Sequence, residues 1–206
     1  MEIFRIIKNQ TIALHSYHLT QNKNQAEQFD FLIKKLQPIN LSNWHPYIAM
    51  PFKRKPPHPP ARFRPAHGRT VFYASFVEET ALYEKAFKIM SQRIHLKEGN
   101  ISSSRTMFSA NADSSTAIDV NNISNQLMDK NDYTASHQFI SATSETFIIY
   151  PSCRDRLHRN NAAILDINHL AKNPNWESPI QFFYDDNLQQ ITWLDNGLTI
   201  SWQEVN

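Results

Sequence analysis

The stretch TVFYASFVEETALYEKAFKIMSQR, residues 70–93, decides the fold. Its opening TVFYAS is a run of β-branched and aromatic residues, the composition of a short strand. The EETALYEKAFKIMSQR that follows is rich in good helix formers, and Ala81, Leu82, Lys85, Ala86, Ile89 and Met90 fall into apolar and basic faces. A strand feeding a helix is therefore the unit from which the rest is read.

Upstream, residues 3–7 predict an N-terminal strand. Residues 25–36 predict a helix, with Phe29, Leu32, Ile33 and Leu36 on one face. Eight of the eleven prolines then crowd between Pro38 and Pro65. Each fixes its own φ and disfavours helix at the residue before it, so residues 37–68 are expected to be extended, irregular chain. Downstream, the Ser-, Asn- and Asp-rich residues 100–116 read as loop around a weak strand at 106–109. Helices are expected at 121–128 and 133–142. The apolar run TFIIY at 146–150, stopped by Pro151, predicts a buried strand, and AAILDI at 162–167 another. Alternating segments at 181–184, 189–194 and 198–202, separated by Asp-Asp-Asn and Asp-Asn-Gly turns, predict a closing β-meander. Strands and helices without regular βαβ alternation place the chain in the α+β class.

The chain has 206 residues, of which 41% are hydrophobic and 12% aromatic, enough for one domain over 1–206 with a real core. Only Gly68, Gly99 and Gly197 are glycine, and they are scattered. A Walker-type loop or a Rossmann fingerprint needs clustered glycines so that backbone can approach a diphosphate. Both are excluded, and so is a GxSxG nucleophile elbow. Nine histidines invite a metal, yet there is no HExxH and no cysteine pair, so no metal is expected. The single cysteine, Cys153, precludes an intrachain disulfide and points to a reducing, cytoplasmic compartment. Glu2, Arg5 and Lys8 interrupt the start of the chain, which argues against a signal peptide or membrane span.

Charge is placed unevenly. From Phe31 to Val77 there is no acid, while Lys34, Lys35, Lys53, Arg54, Lys55, Arg62, Arg64 and Arg69 contribute +8, so the remainder carries −6 against a total of +2. As ordinary structure this is a solvated basic loop. As a site it would hold a nucleotide, a nucleic-acid backbone or an acidic partner.

Several short motifs stand in a fixed order: Arg62-Phe63, FYAS at 72–75, ETALYE at 79–84, YPSCR at 150–154, and Asn160-Asn161 before AAIL. Together, over about residues 60–166, they resemble the RES domain family, named after its Arg, Glu and Ser. The resemblance implies an ADP-ribosyltransferase-like fold and an NAD-consuming toxin, with NAD as substrate and no metal. It also implies a helix-turn-helix (Xre-type) antitoxin as partner, and a homodimer within the toxin–antitoxin complex. By family position, Glu84, Arg62 and Ser152 are the expected catalytic residues. Arg62, Tyr73, Ser152 and Arg154 are expected to bind the dinucleotide. Many relatives have a Gly-Arg-Trp-Asn stretch where this chain has Phe63 followed by Arg64, which leaves Arg62, Arg64 and Arg69 as alternatives for the essential arginine.

The residue types suit the chemistry. Breaking the nicotinamide–ribose bond builds positive charge on the ribose, and a carboxylate such as Glu84 stabilises it. Arginine offers a permanent forked charge for phosphate or ribose oxygens without glycine-rich backbone. Tyr73 offers a flat face or a hydrogen bond, and Ser152 a short hydroxyl. Equally, Tyr73 could be a half-buried strand aromatic, Glu84 a solvated helix residue and Ser152 a turn or cap. Protein ADP-ribosylation and a non-enzymatic basic binding module are the alternatives to NAD degradation. Cys153 beside Arg154 and His158 suggests a thiolate nucleophile, against inert packing after a buried strand.

Overall fold

The computed structural model describes residues 1–8, 41–53, 56–57, 59–96, 99–121, 123 and 125–206. The strands are β1 (Glu2–Lys8), β2 (Phe72–Ser75), β3 (Ile101–Asn111), β4 (Ile118–Asp119), β5 (Phe147–Pro151), β6 (Asn160–Ile164), β7 (Trp176–Asp185), β8 (Gln190–Trp193) and β9 (Thr199–Ser201). The helices are α1 (Pro46–Lys53), α2 (Glu78–Leu96), α3 (Thr134–Ala142) and α4 (Trp202–Val205), with 3₁₀ turns at Asn125–Met128 and Ile167–His169. Among the described residues the strands form one nine-stranded sheet in the order β4-β5-β6-β2-β1-β3-β7-β8-β9. Only the β4–β5 pair is parallel, so the fold is α+β, and β7, β8 and β9 are the expected meander.

The strand-to-helix unit forms as the sequence indicates, with β2 running through Phe76 and Val77 into α2. The alternation of β2 then decides what lies on each face. Phe72 and Ala74 point to a core shared with Ile3, Phe108, Phe147 and Ile164, against which α1 packs. Tyr73 points the other way, beside Phe63, Tyr150 and Ala163 under α3. On β1, Ile6 joins Leu82, Met90, Met107 and Phe182 beneath α2. Ser75 sits opposite Asn161 on β6 and beside Phe4 on β1. It therefore lies at the seam between the α3 and α2 cores on one sheet face.

Four expectations are corrected. Residues 46–53 are helical, although they fall in the proline-rich segment. Pro46 occupies the first helical position, where no N–H is needed, and Pro51 stands only two residues before the helix ends. The serine-rich stretch is an eleven-residue strand, β3, because β7 pairs with it over 101–109 and β1 over 105–111; tertiary pairing outweighs weak local propensity. The helix expected at 121–128 contracts to the 3₁₀ turn at Asn125–Met128. The last strand ends at Ser201, where Glu204 accepts the Ser201 N–H at 2.7 Å and starts α4 at Trp202. The helix expected at 25–36 and the basic residues Lys34, Lys35, Arg54 and Lys55 lie outside the described residues.

Candidate active site

At the seam, Glu84 projects from α2 and is half-buried. Its Oε1 accepts two hydrogen bonds, from Ser152 Oγ at 2.7 Å and from Asn161 Nδ2 at 2.7 Å. Asn161 is in turn fixed by its own Oδ1, which accepts the Ser75 hydroxyl at 2.6 Å. Two elements thus meet at one carboxylate oxygen, β6 and the loop after β5, with β2 holding Asn161 from behind. Among the described residues Oε2 accepts no hydrogen bond, so the carboxylate is fixed through one oxygen.

Ser152 is fully buried. A hydroxyl has one proton and two lone pairs. Here the proton goes to Glu84, and the oxygen accepts the backbone N–H groups of Arg154 at 3.1 Å and Asp155 at 2.9 Å. All three capacities are used within the protein, so Ser152 orients Glu84.

The loop carrying Ser152 is clamped to the first turn of α2. Asp155, 1% exposed, accepts from Thr80 Oγ1 at 2.6 Å and from Leu157 N–H at 3.0 Å. Arg159 bonds Asp155 at 2.6 Å and Glu79 at 2.6 Å. Burial alone pushes the Asp155 carboxyl up, but Arg159, Thr80 and the Leu157 amide more than offset it and hold the group below its ordinary value. Ser152 N–H closes the loop onto the Arg159 carbonyl at 2.9 Å, and His158 adopts a left-handed φ of 50° with its Nδ1 3.0 Å from the Ser152 carbonyl.

Arg62 approaches from the segment before β2. Its guanidinium donates to the Leu127 carbonyl and to Cys153 Sγ at 3.2 Å, and its Cζ lies 5.6 Å from the centre of the Tyr133 ring. Among the described residues three of its five N–H donors have no acceptor. Cys153, which Arg62 bonds, follows Ser152, which bonds Glu84, so both charges meet the same loop. Tyr73 accepts the Phe63 N–H at 3.3 Å on its hydroxyl, keeping its own proton to donate. Burial pushes that phenol well above its usual range, with Arg64 the chief opposing charge, so it is a hydrogen-bond donor and not a base.

Arg64 lies 5.9 Å over the Tyr73 ring and bonds the Pro59 carbonyl at 2.9 Å, while Arg69 is exposed. Arg62, Tyr73, Glu84 and Ser152 are therefore brought together. Arg154 is placed differently. It is 5% exposed, and its guanidinium donates to the Val205 carbonyl at 2.8 Å and the Lys130 carbonyl at 3.1 Å. Burial pushes the Cys153 thiol above its ordinary value, Arg62 opposes this only in part, and Sγ donates to the Met128 carbonyl at 2.9 Å. These features are those of a protonated, packed thiol and not of an activated thiolate.

Two parts of the site escape the expected residue set. Asn161 was legible only as part of an Asn pair heading an apolar strand, and its polar position in a buried β6 is the available signal. The Thr80–Asp155–Arg159–Glu79 clamp depends on a loop and a helix meeting across 75 residues of chain, which sequence order alone does not encode.

Among curated proteins no match is found. The RES domain family model matches residues 39–185, a span that contains Arg62, Tyr73, Glu84, Ser152 and Asn161 and runs from before α1 to the end of β7. With well over half of the chain matched and the Arg, Glu and Ser motifs gathered at one seam, the protein belongs to the RES domain family, which includes NAD-acting toxins.

Proposed function

We propose that the protein cleaves the nicotinamide–ribose bond of NAD, with Glu84 as the catalytic carboxylate. The observation that carries this reading is the carboxylate held through Oε1 by Asn161 and by Ser152, whose next residue, Cys153, is bonded by Arg62. In NAD the nicotinamide is already a pyridinium. When the C1′–N bond breaks, its electron pair neutralises the ring nitrogen, so the leaving group needs no proton. What needs help is the ribosyl cation left behind, and a fixed negative charge beside it lowers the barrier without reorganising during the reaction. Water then adds to C1′ and loses a proton, giving ADP-ribose.

Arg62 supplies the uncommitted N–H groups for pyrophosphate or ribose oxygens, and Tyr73 a hydroxyl donor and a ring face. Arg64 lies over the Tyr73 ring and Arg62 bonds Cys153 next to Ser152, whereas Arg69 is exposed, which favours the first two as the arginines of the site. The same reading gives the protein an Xre-type antitoxin as partner, tested by growth arrest on expression that Glu84→Ala relieves.

The reading is tested with NAD labelled in the adenylate half. Label recovered as free ADP-ribose supports hydrolysis. Label in a phosphorylated ADP-ribose formed only with added orthophosphate indicates phosphorolysis, and label fixed on a protein band indicates transfer. Unchanged NAD overturns the proposal.

A further inference from the structure

Arg154 joins the catalytic loop to a part of the chain that lies outside the family match. Its backbone N–H is one of the two that locate the Ser152 hydroxyl. Its side chain is buried against the C-terminal turn: it donates to the Val205 carbonyl at 2.8 Å, and its Cζ lies 3.6 Å from the centre of the Phe87 ring on α2. Phe87 stacks in turn on Trp202, with centroids 5.6 Å apart and planes within 7°. The Lys130 carbonyl takes the other arm of Arg154, while Lys130 Nζ reaches the Asn206 carbonyl at 2.7 Å. Val205 is fully buried. A buried guanidinium forked between two carbonyls and packed on a ring has little freedom.

We infer that α4 is a positioning element for the active site, acting through Arg154 on Ser152 and through Ser152 on Glu84. The two amides on the Ser152 oxygen belong to neighbouring residues bolted to different places, Asp155 to Thr80 at the start of α2 and Arg154 to α4. Moving α4 tilts the second amide, and the serine can then no longer satisfy both amides and Glu84 in one rotamer. The effect on catalysis rests on the proposed role of Glu84, whereas the effect on the loop does not.

The test uses Trp202→Ala, which removes the stack on Phe87, and Trp202→Phe, which retains an aromatic face. Amide hydrogen exchange in the substrate-free protein is read at Arg154 and Asp155. Protection at Arg154 falls at least about tenfold in Trp202→Ala and returns in Trp202→Phe, while β3 amides keep theirs. Nicotinamide release falls about tenfold in Trp202→Ala, within the hundredfold that a small misplacement costs. In a Ser152→Ala background Trp202→Ala costs nothing more, because the serine is the link. Unchanged protection at Arg154, or an equal loss of rate with and without Ser152, overturns the inference. Should Trp202→Ala not fold, Arg154→Lys, which keeps the charge but cannot fork onto two carbonyls, is read in the same way. If the unmutated protein releases no nicotinamide, the NAD reading fails alone, and the exchange data still decide the coupling.

Discussion

Glu84 and Ser152 divide one task, since the serine has no hydrogen-bonding capacity left for a substrate and the carboxylate keeps a free oxygen. Removing the carboxylate charge with Glu84→Gln is expected to cost about 10³-fold in turnover, the scale seen when a preorganised charge-stabilising group is lost. Ser152→Ala and Asn161→Ala each leave the charge and release one oxygen contact. Each is expected to lower kcat about 10- to 100-fold with KM nearly unchanged, as steady-state nicotinamide release will show. Tyr73→Phe should raise KM instead, because it removes a ground-state donor. Cys153→Ser keeps an acceptor for Arg62 and a donor for Met128. Activity within a few-fold of the unmutated protein is the expected outcome, and loss of turnover would return Cys153 to the chemistry. At this scale the sequence singled out Glu84 and Ser152, which the fold bonds to each other, and Arg62, which bonds the next residue, Cys153. It was less informative about division of labour, because the number of partners a hydroxyl or guanidinium already has is a property of the folded neighbours. Arg154 illustrates this: its forked charge suited an anion, yet its fork is filled by two carbonyls.

Between elements, the loop from Ser152 to Arg159 is held to α2 by the buried Asp155 on Thr80, by Arg159 on Glu79 and by Ser152 on Glu84. Arg159→Ala leaves Asp155 without its charged partner at 1% exposure. A destabilisation of about 3 kcal/mol is expected in denaturant titration, typical of breaking a buried pair from one side. Helix α2 also carries Lys85, whose Nζ lies 3.4 Å from the Ile6 carbonyl of β1. Burial, reinforced by Lys88, Arg105, Arg5 and Lys8, lowers its ammonium to about 7 from an ordinary 10.5. Between those values the unfolded chain binds the proton that the folded chain has lost, so stability rises with pH; below about 7 the charged form is buried at full cost. Lys85→Met should therefore raise the melting temperature most at pH 6 and lose that advantage progressively toward pH 9. A pH-independent difference would contradict the assignment. Elements with strong local signals, β2, α2, β5 and the meander, were legible in sequence. β3 was not, because its serines become strand only through pairing with the distant β7, and α1 was hidden by prolines that a helix tolerates at its first position.

Across the molecule, the scarcity of glycine, which excluded backbone cradles for phosphate, is consistent with a site made of side chains. Gly68 marks the entry to it. A Cβ there would come within 2.8 Å of Pro65, whose carbonyl accepts the Gly68 N–H at 3.0 Å, so the tight turn between Arg62 and β2 requires glycine. The sheet brings β2 and β6 side by side although 84 residues separate Ser75, the end of β2, from Asn160, the start of β6, and β3, β4 and β5 come between them in the chain. This long-range pairing is what composition and periodicity leave unspecified. Among the described residues no helix is long and apolar enough to cross a membrane. The proposed role of Glu84 is to supply the oriented carboxylate that helps break the nicotinamide–ribose bond. It is tested by the rate of nicotinamide release from NAD by purified protein, compared with Glu84→Gln of matched stability. Release by the unmutated protein and a loss of about 10³-fold in the variant are expected; no release by the former, or equal release by both, would rule that role out.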